Sequence, residues 1–511
     1  MGKIRELFSD TLVYGISSVV ARFINYLLVP FYTKYFDPAA YGVIGLIYGA
    51  IIFLNVLFTF GMESSYLRYG VDREKARNVF RTIQVALLCG ASLLIALSWL
   101  MKPLLASLVG LEPDSDIVQA QSSFFSSPFS LFYMMLGILW IDALSLVPFA
   151  ELRLIRKTWT YAFIRLFNVV INVSLNLYLV IIAGWGIEAV LFSNLVASLA
   201  AAALLFGFTA HMYRGRWDPK LLRRVLWFGL PYIPAGLAHA VNEVLGRFAV
   251  NNMPHDTVSR LYGDHYTADD MTGIFNACYK MSVFMLLAVQ MFRMAWLPFF
   301  MRQSGSEDAR KTYAEVFTWF NIAAAVVFIT VGIFVEQIVR IRIPFLDGTL
   351  IDARYWSGLS IVPWLLMAYW FQGWFLNFIA GVFIKEKMWY LAGVTLAGAL
   401  ITITGNLLLV PVYGMQGAAW VTLTCFFSMA MLMYMLTQKF YRVPYNMLKN
   451  FGVLVFSGLA VAFSNGFSST ETPFFESLLA KMLLFVLCLL IISVVAYYEL
   501  NRRPPVKKSV N

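Results

Sequence analysis

The sequence predicts an all-α polytopic membrane protein with about fourteen transmembrane helices. The chain has 511 residues, of which 60% are hydrophobic and only 13% charged. Soluble globular domains are nearer to about 45–50% apolar and about 25% charged. Apolar stretches of 18 or more residues recur along the whole chain, each long enough to cross a ~30 Å hydrocarbon core as a helix. The alternating ten-residue pattern of a membrane β-barrel does not occur.

Fourteen apolar segments define the predicted helices. The opening MGKIRELFSD runs into the first of them without the short apolar region and cleavage site of a signal peptide. We therefore expect the first helix to stay in the protein. The predicted spans are 11–32, 41–62, 80–101, 127–150, 159–182, 186–210, 225–250, 273–299, 312–335, 357–384, 389–411, 415–437, 450–467 and 477–498.

The distribution of basic residues predicts the orientation of these spans. With a cytoplasmic N-terminus, 27 of the 39 Lys and Arg residues fall in cytoplasmic segments and six in outer loops. This bias matches the positive-inside rule and places both termini in the cytoplasm. Most of the net charge of +11 is thereby explained by topology. We therefore expect membrane lipids, and not nucleic acid, around the chain.

The sequence repeats itself at an offset of 230 residues. The segment KTWTYAFIRLFNVVINVSLNLYLVIIAGWGIEA from Lys157 aligns without a gap to KMWYLAGVTLAGALITITGNLLLVPVYGMQGAA from Lys387. Chance similarity between apolar helices is the alternative, but polar and glycine positions match in register. The identical pairs include Trp159/Trp389, Asn176/Asn406 and Gly184/Gly414, with Gly42/Gly273 and Tyr48/Tyr279 in a weaker echo at offset 231.

An offset near 230 contains six predicted spans, so the two copies have the same orientation in the membrane. Such parallel repeats are related by an axis along the membrane normal and enclose a site between them near the midplane. We expect an N-lobe at 1–215 (helices 1–6) and a C-lobe at 216–440 (helices 7–12). Residues 441–511 then form two further helices and a basic cytoplasmic tail.

The first span carries an arginine at the depth where charge is most costly. Arg22 lies about eleven residues from each end of its apolar run, and a charge at the bilayer centre costs at least ~2.5–3.5 kcal/mol. At helical spacing it shares a face with Tyr14, Ser18 and Asn25, so this face is directed into the bundle. Arg22 therefore either contacts an anionic ligand, with Asn25 beside it, or is held by carbonyls or a carboxylate of another helix.

Three polar residues of the eighth span cluster on one face. In a straight helix Asn276, Lys280 and Gln290 fall within about a quarter of the circumference. Lys280 is the second candidate cation for the cavity. Arg293 lies off this face and close to the predicted cytoplasmic end, where extension of the side chain to the lipid headgroups competes with a role in the cavity.

The seventh and fourth spans carry the other candidates. Glu243 and Arg247 are four residues apart on the seventh span and could pair with each other. Otherwise Arg247 is a further cation for substrate. Asp142 on the fourth span is either the partner of Arg22 or a site for a coupling proton or sodium ion. The buried set is mainly cationic, which suits a phosphate-bearing substrate because arginine matches phosphate oxygens.

No motif indicates catalysis or a cofactor. The sequence has no nucleotide-binding glycine loop, no histidine or cysteine spacing typical of a metal site, and no catalytic triad in an outer loop. We therefore expect a protein that is not an enzyme and needs no cofactor.

Several segments resemble a known family. The opening DTLVYGISSVVARFINYLLVPFYTKYFDPAAYG, followed by FGMESSYLRY, is similar to the start of polysaccharide-export flippases of the multidrug/oligosaccharidyl-lipid/polysaccharide exporter superfamily. The pair NVSLNLYLVIIAGWGIEA and ITGNLLLVPVYGMQGAA resembles the family's Asn-Leu…Gly-x-x-Gly-Ala element, although Glu188 replaces a small residue in the first copy. The eighth span resembles its Gly-Ile-Tyr…Tyr-Lys…Pro pattern, with Phe275 in place of tyrosine.

The resemblance implies two lobes around a V-shaped cavity that opens alternately to each side. It also implies a monomeric protein of the bacterial inner membrane that moves an undecaprenyl-pyrophosphate-linked oligosaccharide to the outer leaflet. Cavity cations of relatives correspond here to Arg22 and Lys280, and to Arg293 with a weaker match. The alternatives are a lipid II flippase and a drug or cation antiporter of the same superfamily. A membrane glycan polymerase would need a larger outer loop than this sequence has.

Overall fold

The structure, a computed structural model, is a bundle of membrane-length helices, which confirms the predicted fold class. It describes residues 24, 28–103, 129–230, 232–303, 305–306, 308–343, 348–385, 387–465 and 474–501. The α-helices are α1 (Val29–Tyr35), α2 (Pro38–Thr59), α3 (Met62–Tyr69), α4 (Ala76–Leu100), α5 (Ser130–Leu154), α6 (Thr158–Leu177), α7 (Glu188–Thr209), α8 (Pro219–Gly229), α9 (Tyr232–Asn251), α10 (His255–Tyr262), α11 (Ala268–Met281), α12 (Val283–Gln303), α13 (Ala309–Val339), α14 (Val362–Phe378), α15 (Ala380–Ile384), α16 (Met388–Phe440), α17 (Met447–Asn465) and α18 (Phe474–Asn501).

Shorter elements join these helices. A π-helical turn extends α6, and 3₁₀-helices follow α7 and precede α14. The described part also contains one antiparallel two-stranded sheet, in which Arg342 pairs with Thr349. The bounds of these elements are Tyr178–Ile182 for the π-turn, Ala210–Arg214 and Ala353–Ile361 for the 3₁₀-helices, and Arg342–Ile343 and Gly348–Thr349 for strands β1 and β2.

The helices correspond to the predicted spans. Within the described residues, ten helices are long and apolar enough to cross a membrane, and the bent pair α11 and α12 makes an eleventh candidate. The long helix α16 contains two predicted spans, 389–411 and 415–437. The polar helix α9 corresponds to the seventh span, and most of the first span lies outside the described residues. The terms outer and cytoplasmic denote the two sides of the membrane as the charge distribution predicts them.

Equivalent glycines turn the chain in the two repeats. Gly414 has φ 58° and ψ −136° and divides α16 into two helices. They run antiparallel, because a Cβ on Gly405 would lie 2.9 Å from the Val421 side chain. Gly184, its counterpart at offset 230, also has a positive φ of 66°, between α6 and α7. Glycine adopts this conformation without steric cost, so the matched glycines mark the same turn in both repeats.

The two repeats meet where α2 crosses α11. A Cβ on Gly42 would lie 2.5 Å from the Asp269 carbonyl oxygen, and one on Gly273 would overlap the Pro38 carbonyl. Three residues further along, a Cβ on Gly45 would lie 2.7 Å from Nδ2 of Asn276. Small residues allow helix backbones to approach closely in a membrane. The outer halves of these repeat-equivalent helices are therefore in direct backbone contact.

Polar contacts close the same outer side. The guanidinium of Arg354 donates to the carbonyl oxygens of Thr33 (3.0 Å) and Lys34 (3.1 Å). The hydroxyl of Tyr355 donates to the Phe36 carbonyl at 3.0 Å. These bonds join the segment that precedes α14 to the beginning of the first repeat.

Ion pairs hold the cytoplasmic ends of the first repeat. Glu151 is fully buried and binds Arg73, with Nη1 3.1 Å from Oε2, while Tyr66 donates to the same carboxylate at 2.7 Å. The hydrogen bond with Glu151 raises the pKa of Arg73 above its ordinary value. Arg153 forms a second ion pair with Glu63. Together these contacts fix α3 and the following loop to the end of α5.

One ion pair attaches the two additional C-terminal helices to the bundle, and another joins them to each other. Lys481 of α18 is 2% exposed and binds Glu336 of α13 at 3.0 Å. Near the cytoplasmic end, Lys449 of α17 binds Glu499 of α18. Lys481, which the sequence places at the edge of its span, is thus part of an ion pair between helices.

Gly273→Ala is expected to destabilise the protein by about 1–3 kcal/mol, the typical cost of overpacking. The added Cβ would overlap the Pro38 carbonyl, which is backbone and cannot rotate away. Thermal unfolding of the purified protein in detergent measures the effect. Gly452→Ala is the matched control, because a Cβ there meets no atom within 4 Å. Alanine is also the better helix former, so this variant should be at least as stable as the parent. Equal melting temperatures for the two variants would contradict the close contact.

Candidate functional site

Helix α9 carries a polar face that leads towards the middle of the bundle. His239, Glu243 and Arg247 follow one another at four-residue spacing and therefore lie on one side of the helix. His239, nearest the cytoplasmic end, is exposed, whereas Glu243 and Arg247 are partly buried. On a neighbouring face Val244 and Phe248 pack against α2 around Gly49. The polar face therefore borders the junction between the two repeats.

Arg247 and Lys280 form a cationic cluster at this junction. Lys280 lies in the last turn of α11, directly after Tyr279. Cζ of Arg247 lies 5.0 Å from the centre of the Tyr279 ring. Its Nε is buried and has no hydrogen-bond partner among the described residues. Two positively charged side chains close to one aromatic ring are suited to an anionic ligand.

Glu243 is bound by α14 and not by Arg247. Its carboxylate accepts hydrogen bonds from Nε2 of Gln372 at 3.1 Å and from the Tyr369 hydroxyl at 3.4 Å. The Tyr369 hydroxyl also bonds the Tyr279 hydroxyl. The ion pairs of the described part do not include Glu243 with Arg247. Although their four-residue spacing permits an ion pair, Glu243 and Arg247 do not form one in the structure.

The remaining candidates of the eighth span lie at different places. Asn276 is 3% exposed and packs beside Gly45 at the crossing of α2 and α11. The span bends by 48° between α11 and α12, at Ser282, which donates to the Tyr279 carbonyl. Gln290 lies beyond this bend and is partly exposed, and its place on a common face with Asn276 and Lys280 stays a prediction. Arg293 is exposed further along α12.

Asp142 lies on α5 of the first repeat. Its Oδ1 accepts a hydrogen bond from the Ser198 hydroxyl at 3.1 Å. Arg165 is exposed, with Cζ 4.2 Å from the centre of the Phe149 ring. Arg22 and Asn25, two of the sequence candidates, lie outside the described residues. The expected contact between Arg22 and Asp142 therefore stays a prediction.

Sequence reasoning did not find the residues that organise the cluster. The Glu243 carboxylate is held by Tyr369 and Gln372, and Tyr369 also bonds Tyr279, whose ring lies next to Arg247. Because tyrosines are common throughout this chain, their presence alone did not single out these positions. One signal was present: Gln372 stands 230 residues after Asp142, and Tyr279 pairs with Tyr48 at offset 231. Both repeats thus place polar side chains at equivalent positions, where Asn194 donates to Tyr48 at 3.0 Å.

Metal binding has no support in the described part of the chain. There, no group of three or more His, Cys, Asp and Glu side chains is arranged to hold a metal ion.

The comparisons with known proteins agree with this architecture. The family described as polysaccharide biosynthesis protein matches residues 33–341, which is more than half of the chain. The chain therefore belongs to this family, as the sequence motifs predicted. No curated protein sequence matches it significantly.

Solved transporter structures share the fold. The lipid II flippase MurJ in an inward closed conformation is similar over 96% of this chain and 100% of its own, with a TM-score of 0.72 and 13% identity. An inward-facing multidrug resistance MATE family transporter of the MOP superfamily is similar over 84% of this chain and 95% of its own, with a TM-score of 0.58 and 12% identity. A variant of the Vibrio cholerae MATE transporter VcmN has a TM-score of 0.56 at 13% identity, over 85% of this chain and 96% of its own.

Tyr369→Phe is expected to destabilise the protein by about 1–3 kcal/mol. The change removes the hydroxyl that links Tyr279 to Glu243, and buried polar groups that lose a partner cost this much. Thermal unfolding measures the loss, with Tyr178→Phe as control because Tyr178 is 54% exposed. If the two variants were equally stable, the tyrosine link would not organise the cluster.

Proposed function

We propose that the protein is a flippase for a polyprenyl-pyrophosphate-linked oligosaccharide. It moves this substrate from the cytoplasmic to the outer leaflet of a bacterial inner membrane for the synthesis of surface polysaccharide. The observation that carries the proposal is the pair of cations at the junction of the two repeats, where Cζ of Arg247 lies 5.0 Å from the ring centre of Tyr279, the residue before Lys280. Membership of the polysaccharide biosynthesis protein family supports the class of cargo.

The charge of the cluster favours a phosphate-bearing ligand. Ionisable residues inside a membrane bundle are costly and mark substrate paths. Two neighbouring cations add mutual repulsion, which a bound anion relieves. The carboxylate of Glu243 is engaged by Tyr369 and Gln372, so it is not used to neutralise Arg247. An arginine fork and a lysine point charge are both suited to pyrophosphate oxygens.

The contacts on the two sides support an inward-accessible state. On the outer side, α2 and α11 touch through backbone atoms and Arg354 binds the start of the first repeat. On the cytoplasmic side, His239 at the beginning of the polar face of α9 is exposed. We propose that the pyrophosphate enters from this side. The lobes, 1–215 and 216–440, then rock about their junction so that the outer contact opens.

Two alternatives share the fold but make different demands on the site. A lipid II flippase would use the same pyrophosphate contacts, and growth or lysis of depleted cells separates it from a surface-polysaccharide flippase. Neighbouring glycosyltransferase genes would favour surface polysaccharide, and cell-wall genes would favour lipid II. In a cationic-drug antiporter the substrate would be positively charged, and Arg247 and Lys280 would repel it. A glycan polymerase would retain polymerisation in a membrane fraction without transport.

Energy for transport is proposed to come from an ion gradient or the membrane potential. Asp142 is our candidate for proton or sodium coupling, because it is an acid inside a membrane-spanning helix with a hydroxyl ligand, Ser198, at 3.1 Å. The alternative role for Asp142 is an ion pair with Arg22. Both roles place Asp142 in the first lobe, and neither needs contact with the oligosaccharide.

Arg247→Gln and Lys280→Gln are each expected to weaken transport about 10- to 100-fold. A charge-assisted hydrogen bond contributes about 1.5–3 kcal/mol. Surface polysaccharide and the accumulated cytoplasmic lipid-linked intermediate are measured in a strain that lacks the wild-type gene. Arg247→Lys should retain part of the activity, because lysine keeps the positive charge but cannot form the two parallel hydrogen bonds of a guanidinium.

Lys439→Gln is the matched control for these two variants. It removes a charge from an exposed cytoplasmic position and should leave export unchanged. Normal export in both Gln variants, with the proteins present in the membrane at wild-type amounts, would reject the proposed binding site. Loss of drug resistance alone would instead support the antiporter.

Arg22→Ala should abolish surface polysaccharide while the protein remains folded in the membrane. Export, membrane abundance and thermal unfolding are measured together with Asp142→Asn and the double variant. If the two residues form only an ion pair, the single variants are both destabilised and the double variant is no worse than either. If Arg22 binds substrate, its variant loses export at unchanged stability. Normal export in Arg22→Ala would end its assignment to the site.

A further inference from the structure

Helix α8, between the two repeats, has one face that the protein interior does not use. Asp218 caps its beginning by accepting hydrogen bonds from the N–H groups of Lys220 (2.8 Å) and Leu221 (3.3 Å). Val225 and Gly229 are buried on the opposite side. At 100° per residue, four exposed side chains fall within an arc of about 100°: Lys220, Arg223, Arg224 and Trp227.

The buried face of α8 is fixed to the first repeat. The Ser65 hydroxyl of α3 donates to the Val225 carbonyl at 2.9 Å. A Cβ on Gly229 would lie 2.8 Å from the Phe60 carbonyl, so the backbones also approach closely there. Upstream of α8, the N–H of Arg216 donates to Oδ1 of Asn78 at 2.8 Å. The linker therefore moves together with α3 and α4.

The outward face combines positive charge with exposed tryptophan. Trp227 is 80% exposed and Trp217 is 51% exposed. Arg68 extends the basic surface, because its Cζ lies 4.6 Å from the centre of the Phe228 ring at the end of the helix. Asp218 is the one carboxylate in the sequence from 210 to 230, and it serves as the helix cap. The face therefore has no acidic residue of its own to balance three cations.

We propose that this face of α8 binds the anionic headgroups of the cytoplasmic leaflet. The helix joins membrane-spanning α7 to α9, the helix of the predicted seventh span, which begins only three residues after α8 ends. It therefore lies at the level where these helices leave the hydrocarbon. Tryptophan concentrates at this level, and basic amphipathic helices bind there through apolar contact and attraction to anionic lipids. Lys220, Arg223 and Arg224 meet the phosphates, and Trp227 inserts beside them.

This binding would anchor one lobe and leave the other free to move. Its contacts with α3 and α4 attach the anchor to the first repeat, so the moving part of the second lobe begins after Gly229 and not at the predicted boundary of 216. The chain between Gly229 and Tyr232 leads directly into α9 of the second repeat. A lobe held at the headgroups by its own linker keeps its depth while its partner rocks. The lipid contact itself does not depend on which substrate is carried.

Lipid retention by the purified full-length protein tests the proposal. The protein is placed in nanodiscs of phosphatidylcholine with increasing phosphatidylglycerol, and bound phosphatidylglycerol is measured by native mass spectrometry after release. Each basic residue near an anionic surface strengthens binding roughly fivefold. The triple variant Lys220→Gln/Arg223→Gln/Arg224→Gln should therefore bind phosphatidylglycerol at least about tenfold more weakly than the parent.

A matched variant with the same loss of charge is Lys157→Gln/Lys385→Gln/Lys439→Gln, in which all three lysines are exposed on the cytoplasmic side. It should retain phosphatidylglycerol nearly as well as the parent. Unchanged retention in the α8 variant, or an equal loss in both variants, would overturn the proposal. The melting temperature should be the same in all three proteins in phosphatidylcholine alone.

A photo-crosslinker identifies what covers the face in cells. With Trp227→p-benzoylphenylalanine, illumination of intact cells should give mainly lipid adducts. The same replacement at Trp389, which is 85% exposed on the second repeat, provides the reference for ordinary lipid contact. A dominant protein adduct at position 227 would show that the face docks a partner protein, and the lipid proposal would be wrong.

Discussion

The arrangement of the bundle depends on the backbone contact between α2 and α11. The two helices cross on the outer side of the bundle, where the repeats touch. Gly42 and Gly273 allow so close an approach that a Cβ on either glycine would collide with the backbone of the other helix. In a lipid environment, apolar side chains gain little from leaving the bilayer, so close packing of small residues is a principal source of association. The crossing therefore fixes where the lobes meet, and with them the positions of Asn276 and Lys280.

That geometry explains why the cations are separated from their obvious partner. Glu243 and Arg247 have the spacing of a helical ion pair, yet the tyrosine link and Gln372 of α14 bind the carboxylate from the other side. The Arg247 guanidinium instead lies over the Tyr279 ring, beside Lys280. A cation over an aromatic face is stabilised without being neutralised. The contact with the Tyr279 ring offsets part of the desolvation cost of the Arg247 guanidinium, which keeps its positive charge inside the bundle.

The sequence was sufficient for the fold because the fold depends on local and repeated signals. Hydrophobic length placed the spans, and the matched glycines Gly184 and Gly414 marked the same turn in both repeats. The site was predicted less well. The bend at Ser282 occurs without a proline, so helical periodicity did not indicate that the helix is broken between Lys280 and Gln290. The partner of Glu243 lies on a helix more than 120 residues away, and helical periodicity carries no information on such contacts.

The two negative charges of the proposed substrate call for positive side chains from both lobes. The described cluster contains two cations, Arg247 and Lys280, while the nearby Glu243 carboxylate is bound by Tyr369 and Gln372. A pyrophosphate diester carries two negative charges near neutral pH. In the proposed binding mode, Arg22 of the first span adds a further positive charge from the first lobe. Binding of both phosphates would then need residues from both lobes at once. A ligand held in this way is bound more tightly when the lobes close on it, which gives the substrate a direct influence on the equilibrium between the two open states.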